Sequence, residues 1–142
     1  MKNKGCWLSL IGIAVFFGLI IFLVLTSEKD NPVLSTAPPK PGFYKGGAMH
    51  FMVSADGEIS DFYLQAADSS VMYCVMTWTD EDAFLVDNQY TFQGANQIDM
   101  LYAEDGKFHV DYSLSLCGQW RVSKAKTGHY EAEWISDTSP SP

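Results

Sequence analysis

The chain has 142 residues, of which 17 are acidic and 9 are basic, so its formal net charge is −8. Hydrophobic residues make up 47% of it and charged residues 18%. This composition excludes a disordered chain, a collagen-like repeat and a coiled coil, because each of these needs a very different composition. The length favours a single domain.

An apolar segment without any charge lies near the N-terminus, from Trp7 to Leu25. As a helix with a rise of ~1.5 Å per residue, it would match the ~30 Å hydrocarbon core of a bilayer. The segment therefore predicts one transmembrane helix with the lipid bilayer as its partner. A cleaved secretory signal is the alternative. We favour a retained signal anchor, because the run exceeds the ~7–15 apolar residues of a signal peptide and no clear small-residue cleavage site follows it.

The charges that flank this segment predict its orientation. Lys2 and Lys4 precede the apolar run, whereas Glu28-Lys29-Asp30 follows it. Because positive residues stay on the cytoplasmic side, residues 1–25 are predicted to form a short cytoplasmic tail and the helix. Everything that follows is expected to be extracytoplasmic at the cell membrane.

The remaining chain divides by composition into a linker, a domain and a tail. Residues 26–41 are predicted to be a Pro-rich linker, and residues 138–142 a disordered tail. The domain between them, residues 42–137, contains 15 acidic and 5 basic residues. Its strong negative charge is repelled by phosphate backbones, and this excludes nucleic acid as a partner.

Alternation of apolar and polar residues predicts strands throughout this domain, most clearly in Phe108–Leu116. Asp56-Gly57 and Asp105-Gly106 supply the positive φ of tight hairpin turns, and Lys126-Thr127-Gly128 is expected to be a turn before the last strand. Many short strands at regular spacing favour an all-β fold, with one antiparallel β-sandwich as the preferred architecture and a small barrel as the alternative. The predicted strands are Phe43–Lys45, Met49–Ser54, Ile59–Ala66, Val71–Trp78, Phe84–Val86, Gln89–Phe92, Ile98–Tyr102, Phe108–Leu116, Gln119–Ser123 and His129–Ile135.

Two cysteines of this domain, Cys74 and Cys117, are candidates for a disulfide. An extracytoplasmic space is oxidising, and paired thiols there are usually bridged. Two buried free thiols are the alternative.

Several short segments of the domain resemble a type of small secreted or surface bacterial β-sandwich module whose members mostly lack an assigned function. The matching segments begin with Gly42-Phe43-Tyr44-Lys45-Gly46 and Phe51-Met52-Val53-Ser54-Ala55-Asp56-Gly57. Later come Gly118-Gln119-Trp120 and the segment from Ala125 to Trp134, so the resemblance spans most of Gly42–Ile135. It implies a β-sandwich at the cell envelope and no catalytic residues.

Candidate metal ligands occur in one acidic cluster and in three histidines. Calcium prefers several oxygen ligands, which a loop can supply, but the Asp-x-Asp-x-Asp-Gly spacing is missing. We therefore expect a solvated loop, with calcium as the alternative. The histidines all point away from the apolar face of their strands, and we expect them to be separate surface residues without a bound cofactor or metal. The acidic cluster is Asp80, Glu81, Asp82 and Asp87, and the histidines are His50, His109 and His129.

Aromatic residues offer candidates for a ligand-binding face. Trp120 and Trp134 fall on the inward phase of their strands and are expected in the core. The phase of Tyr63 and Trp78 is ambiguous, so these two are the candidate ligand-face residues, because flat aromatic rings suit glycans and protein partners.

These patterns predict a binding or recognition module at the cell envelope, with a glycan or an envelope protein as partner. A structural or assembly subunit of a membrane complex is the alternative. An enzyme is not expected, because no Gly-x-Ser-x-Gly motif or telling Cys/His pair is present. A small surface hydrolase that uses clustered carboxylates is the least favoured interpretation.

Overall fold

A computed structural model describes residues 31–66, 74–78, 83–118 and 120–140. These residues form strands and no helix. The strands are β1 (Gly42–Gly46), β2 (Met49–Val53), β3 (Ile59–Gln65), β4 (Val75–Trp78), β5 (Gln89–Gln93), β6 (Asn96–Tyr102), β7 (Phe108–Cys117) and β8 (Trp120–Ser136).

All eight strands belong to one antiparallel sheet in the order β4-β3-β2-β1-β8-β7-β6-β5, which is curled into a half-barrel. The all-β antiparallel prediction is confirmed. The long strand β8 connects the two halves of the sheet: its first part pairs with β7, up to Phe108↔Ala132, and its last part pairs with β1, from Lys45↔Glu133 to Phe43↔Ser136. In a sandwich, two separate sheets pack against each other across the core. Here the two layers are halves of one sheet.

The core lies between these two halves. Tyr44 and Phe51 from one half and Phe108 from the other have no exposed surface. The ring of Phe108 stands edge-on to both others, at 4.8 Å from Tyr44 and 5.1 Å from Phe51. Burial of each ring stabilises the folded state by roughly 1.5–3 kcal/mol. The Tyr44 hydroxyl donates a hydrogen bond of 2.7 Å to the Lys40 carbonyl, so its polar end keeps a partner.

A disulfide between Cys74 and Cys117 joins the two halves, with 4.6 Å between the Cα atoms. Cys74 directly precedes the edge strand β4, and Cys117 is the last residue of β7. The predicted bridge is thus present in the structure, where it links the edge of one half to the middle of the other.

Part of the predicted linker contacts the domain. Leu34 forms a β-bridge with Ala103, and the Asn88 side chain donates hydrogen bonds to the carbonyls of Ser35 and Ala37, at 2.8 and 2.9 Å. The chain from residue 34 onward is therefore bonded to the sheet.

The predicted turn at Lys126-Thr127-Gly128 is wrong, because these residues lie inside β8 and pair with Leu114, Ser113 and Tyr112. Gly128 serves packing, since a Cβ there would overlap the Tyr112 hydroxyl. The predicted strand Gln119–Ser123, from Trp120 onward, and the predicted strand His129–Ile135 are consequently parts of one strand, while Gln119 lies outside the described residues.

Two further predictions are corrected by the structure. Phe84 and Val86 form only isolated bridges, to Glu58 and Gln89, and make no strand. Trp120 was placed in the core by its phase, but 73% of it is exposed. It lies at the start of β8, where it pairs with the disulfide cysteine Cys117, beyond the register shift between Leu114 and Leu116. Trp134 is partly buried against the core, in agreement with its phase.

Candidate functional site

The outer face of the β7–β8 pair brings together two histidines and two acidic residues. Val110 is fully buried, so its neighbours His109 and Asp111 point outward. The register pairs His109 with Glu131, and Asp111 with His129, across the two strands. Because directly opposed residues of an antiparallel pair have neighbouring side chains, these four form one outer cluster.

Three of these side chains converge. The ring centroids of His109 and His129 are 5.6 Å apart. One donor atom each from His109, His129 and Glu131 lies within 4.8 Å of the other two. The closest such approach to Glu131 is from His109, whose Nδ1 is 4.0 Å from Oε1. We call these three residues the His/Glu cluster.

Each histidine of the cluster is held by a carboxylate at one ring nitrogen. Nε2 of His109 lies 2.8 Å from Oδ2 of Asp105, in the turn between β6 and β7. Nδ1 of His129 lies 2.9 Å from Oδ1 of Asp111. In a neutral imidazole, the nitrogen facing the carboxylate carries the proton, and the other nitrogen keeps a free lone pair. The lone pairs are then on Nδ1 of His109 and Nε2 of His129.

The charge state of Asp105 supports this arrangement. Partial burial raises the pKa of Asp105, but hydrogen bonds from His109 and from the Lys107 main-chain N–H outweigh it, so the net shift is downward. Asp105 is therefore ionised at neutral pH and accepts the proton of His109 in a hydrogen bond. The His109 side chain is only 12% exposed, which restricts its movement.

Lys107 is the cation beside the cluster. Its Nζ lies 2.7 Å from Glu133 and 3.6 Å from Glu131. The hydrogen bond to Glu133 raises the pKa of Lys107, and Glu131 adds to the effect. Exposed ion pairs of this type contribute little stability, so Lys107 can leave Glu131 at small cost while it keeps Glu133.

The acidic cluster, expected to be a solvated loop with calcium as the alternative, is described only at Asp87. Asp80, Glu81 and Asp82 lie outside the described residues. Asp87 lies in the turn before β5 and has a φ of 51°, in the left-handed region that turns use.

Of the predicted ligand-face residues, Tyr63 lies on the outer face of β3 and is half-buried. Its ring stacks on His50 with 5.1 Å between centroids, and its hydroxyl contacts Gln65 Oε1 at 3.2 Å. The main chain of Trp78 pairs with Phe62 in the β3–β4 register, and the Trp78 side chain is outside the described part.

The expectation that no strand register brings the histidines together is wrong for two of them. His109 and His129 lie close together because β7 and β8 are paired strands whose register places them two positions apart on the same face. His50 lies on β2, in the other half of the sheet. The sequence did contain a signal, since His109-x-Asp111 and His129-x-Glu131 each place two polar ligands on one face of a strand.

Among the described residues, no helix is long and apolar enough to cross a membrane. The predicted anchor Trp7–Leu25 lies outside the described residues. Comparisons of the chain with protein-family models, curated proteins and solved structures gave no match.

Proposed function

We propose that this chain is a single-pass membrane protein that displays a ligand-binding module outside the cytoplasm, with the outer face of β7–β8 as its binding surface. In this proposal the half-barrel is a variant of the small surface β-sandwich modules that the sequence resembles. Trp7–Leu25 anchors it, and Lys2 and Lys4 keep the N-terminus cytoplasmic. The disulfide supports an oxidising location, because such bridges persist outside the cytoplasm.

The observation that carries the binding role is the contrast between the two faces of the sheet. Its inner face is filled by apolar side chains, and no polar or charged residue is buried among the described ones. The outer face of β7–β8 instead holds two histidines that each contact a carboxylate through one ring nitrogen, so the other ring nitrogen is not used by that carboxylate. Ordered polar groups that converge on one another are typical of a binding site.

Topology is tested by thiol labelling of intact cells. Ser139→Cys in a Cys6→Ser background places one free thiol in the tail after the domain, and the wild-type chain carries its free thiol at Cys6, before the predicted helix. A membrane-impermeant maleimide should label the Ser139→Cys protein on intact cells, and Cys6 only after permeabilisation. Labelling of Cys6 alone on intact cells would reverse the orientation and overturn the proposal.

Assembly into a larger complex is the second candidate, and one observation favours it. Trp120 is 73% exposed at the start of β8, at the opposite end of the strand from the residues that pair with β1. Exposed tryptophans of this kind anchor protein interfaces. If assembly is the function, Trp120→Ser should reduce the size of the detergent-solubilised complex in light scattering, whereas Ile135→Ser, at another exposed apolar position, should leave it unchanged.

A further inference from the structure

We propose that His109, His129 and Glu131 bind one divalent transition-metal ion of the zinc class. This inference names the ligand of the proposed binding surface. It rests on that proposal for its biological setting, but not for its geometry.

The spacing of the donors fits one ion after small side-chain movements. Tetrahedral zinc with bonds of about 2.0–2.1 Å holds its donors about 3.3 Å apart. The three donor atoms of the His/Glu cluster lie within 4.8 Å of one another. The side chains of His129 and Glu131 are 39% and 50% exposed, and that of Asp111, which holds His129, is 74% exposed, so small rotations in which Asp111 follows His129 can close this gap. His109 is the fixed member, since it is only 12% exposed.

The hydrogen bonds around the cluster prepare both imidazoles for a metal. Histidines that ligate a metal usually donate their other ring N–H to a carboxylate, which fixes the tautomer and makes the ligand nitrogen more basic. Asp105 takes this position for His109, and Asp111 takes it for His129. The nitrogen that remains on His109, Nδ1, is the one that faces Oε1 of Glu131 at 4.0 Å.

The donor set selects the class of ion. Two imidazole nitrogens and one carboxylate suit zinc, copper or nickel, whereas calcium and magnesium prefer oxygen ligands alone. Three protein ligands leave a fourth position for water or for a donor of a partner. Lys107 competes for Glu131, so binding requires its Nζ to withdraw toward Glu133, which it already contacts at 2.7 Å.

The test is zinc titration of the full chain in detergent by isothermal calorimetry, in a Cys6→Ser background that removes the free thiol outside the domain. We expect one zinc ion per chain, with no comparable heat from calcium or magnesium. His109→Ala, His129→Ala and Glu131→Gln should each weaken the affinity at least tenfold. His50→Gln, which removes a histidine from the outer face of β2, should leave it unchanged.

Spectroscopy and folding controls keep the result interpretable. Cobalt in place of zinc should give the visible absorption of a tetrahedral site, and this absorption should be lost in His129→Ala. His129→Asn, at an exposed position, serves as a second variant if His109→Ala fails to fold, as judged by circular dichroism. Asp80→Asn with Glu81→Gln and Asp82→Asn should bind zinc normally.

Three results would overturn the metal site: no zinc binding at millimolar concentration, unchanged affinity in the three cluster variants, or loss of affinity in the Asp80 to Asp82 variant alone. The proposed function fails separately. Zinc binding by a chain whose domain is cytoplasmic would refute the location and keep the site, and the expected topology without zinc binding would refute the site and keep the location.

Discussion

Gly46 shows how strongly a single residue is constrained by a neighbouring backbone. It lies at the end of β1, and a Cβ there would overlap the Glu131 carbonyl and approach the Cα of Ala132 to 2.9 Å. Both atoms belong to the middle of β8, which cannot shift without moving its partners. The glycine is therefore required for the close approach of β1 and β8.

We predict that Gly46→Ala lowers the free energy of unfolding by at least about 2 kcal/mol, because overpacking against backbone forces the strands apart. Gly94→Ala is the matched control. At Gly94 the nearest atoms would be those of Phe92 at 3.5 Å, so its effect should stay within about 0.5 kcal/mol. Urea unfolding followed by tryptophan fluorescence measures both, and equal midpoints would contradict the prediction.

His50 predicts a pH dependence of stability. Burial against its neighbours lowers the pKa of His50, and Lys45 on β1 lowers it further, while Asp61 on β3 acts in the opposite direction. The ring also lies between Phe43 and Tyr63, at 5.5 and 5.1 Å. A histidine whose pKa is lower in the folded protein binds a proton more readily in the unfolded chain. The free energy of unfolding therefore decreases as the pH falls.

We therefore expect the wild-type free energy of unfolding to decrease as the pH falls from about 7.5 through the usual histidine pKa of about 6.5. His50→Gln, which does not titrate, should show a shallower decrease over the same range. Urea unfolding at pH 7.5, 6.5 and 5.5 measures the difference. Parallel pH profiles for the two proteins would mean that the His50 pKa is not depressed in the folded state.

At the scale of the strand, Asn96 supports an irregularity in β7. The register of β7 against β8 shifts between Leu114 and Leu116. There, Asn96 Oδ1 accepts hydrogen bonds from the main-chain N–H groups of Ser115 and Leu116, at 2.9 and 2.8 Å. Its Nδ2 donates to the Leu116 carbonyl at 3.1 Å. The Asn96 side chain thus provides hydrogen-bond partners for main-chain groups of β7 at the point where the register with β8 shifts.

Asn96→Ala should lower the free energy of unfolding by about 2 kcal/mol, since it leaves partly buried N–H groups without this partner. Gln97→Ala, at the exposed neighbouring position, should have little effect. Chemical denaturation compares the two, and amide exchange at Ser115 and Leu116 should accelerate only in Asn96→Ala. Unchanged exchange in that variant would show that Asn96 does not protect these two amides.

The strands show which features the sequence predicts well. Met49–Ser54, Ile59–Ala66 and Phe108–Leu116 were predicted to within about one residue, because strict alternation and Asp-Gly turns are local signals. The length of β8 was not predicted, since Gly128 looks like a turn residue until its contact with Tyr112 is known. The His/Glu cluster was missed because it depends on the register between strands, which alternation alone does not specify.

For the whole molecule, the disulfide is the main covalent constraint on the curled sheet. Cys74 and Cys117 are separated by 43 positions in the chain, and closing a loop of this size stabilises the folded state by about 4 kcal/mol in the chain-entropy model. This is a large share of the free energy of unfolding of a typical domain, which is ~5–15 kcal/mol.

Replacing both cysteines, as in Cys74→Ala with Cys117→Ala, should lower the free energy of unfolding by about 4 kcal/mol. Cys6→Ser, which removes a thiol outside the domain, should leave it unchanged. Thermal melts with and without reductant give an independent measurement: reductant should lower the melting temperatures of the wild type and of Cys6→Ser, which both keep the bridge, and leave that of the double variant unchanged. A double variant as stable as the wild type would show that packing alone holds the two halves together.

The pairing of β1 with β8 has a mechanical consequence. Phe43, near the start of β1, pairs with Ser136, the last residue of β8, so the start of one strand lies beside the end of its antiparallel neighbour. Tension applied through the two chain ends first detaches residues 34–37 from Ala103 and Asn88. It then loads the hydrogen bonds between β1 and β8 one after another, as in unzipping, and not all together in shear. We expect the module to yield at low force in an optical trap, with the segment between Cys74 and Cys117 withheld from extension until reductant is added.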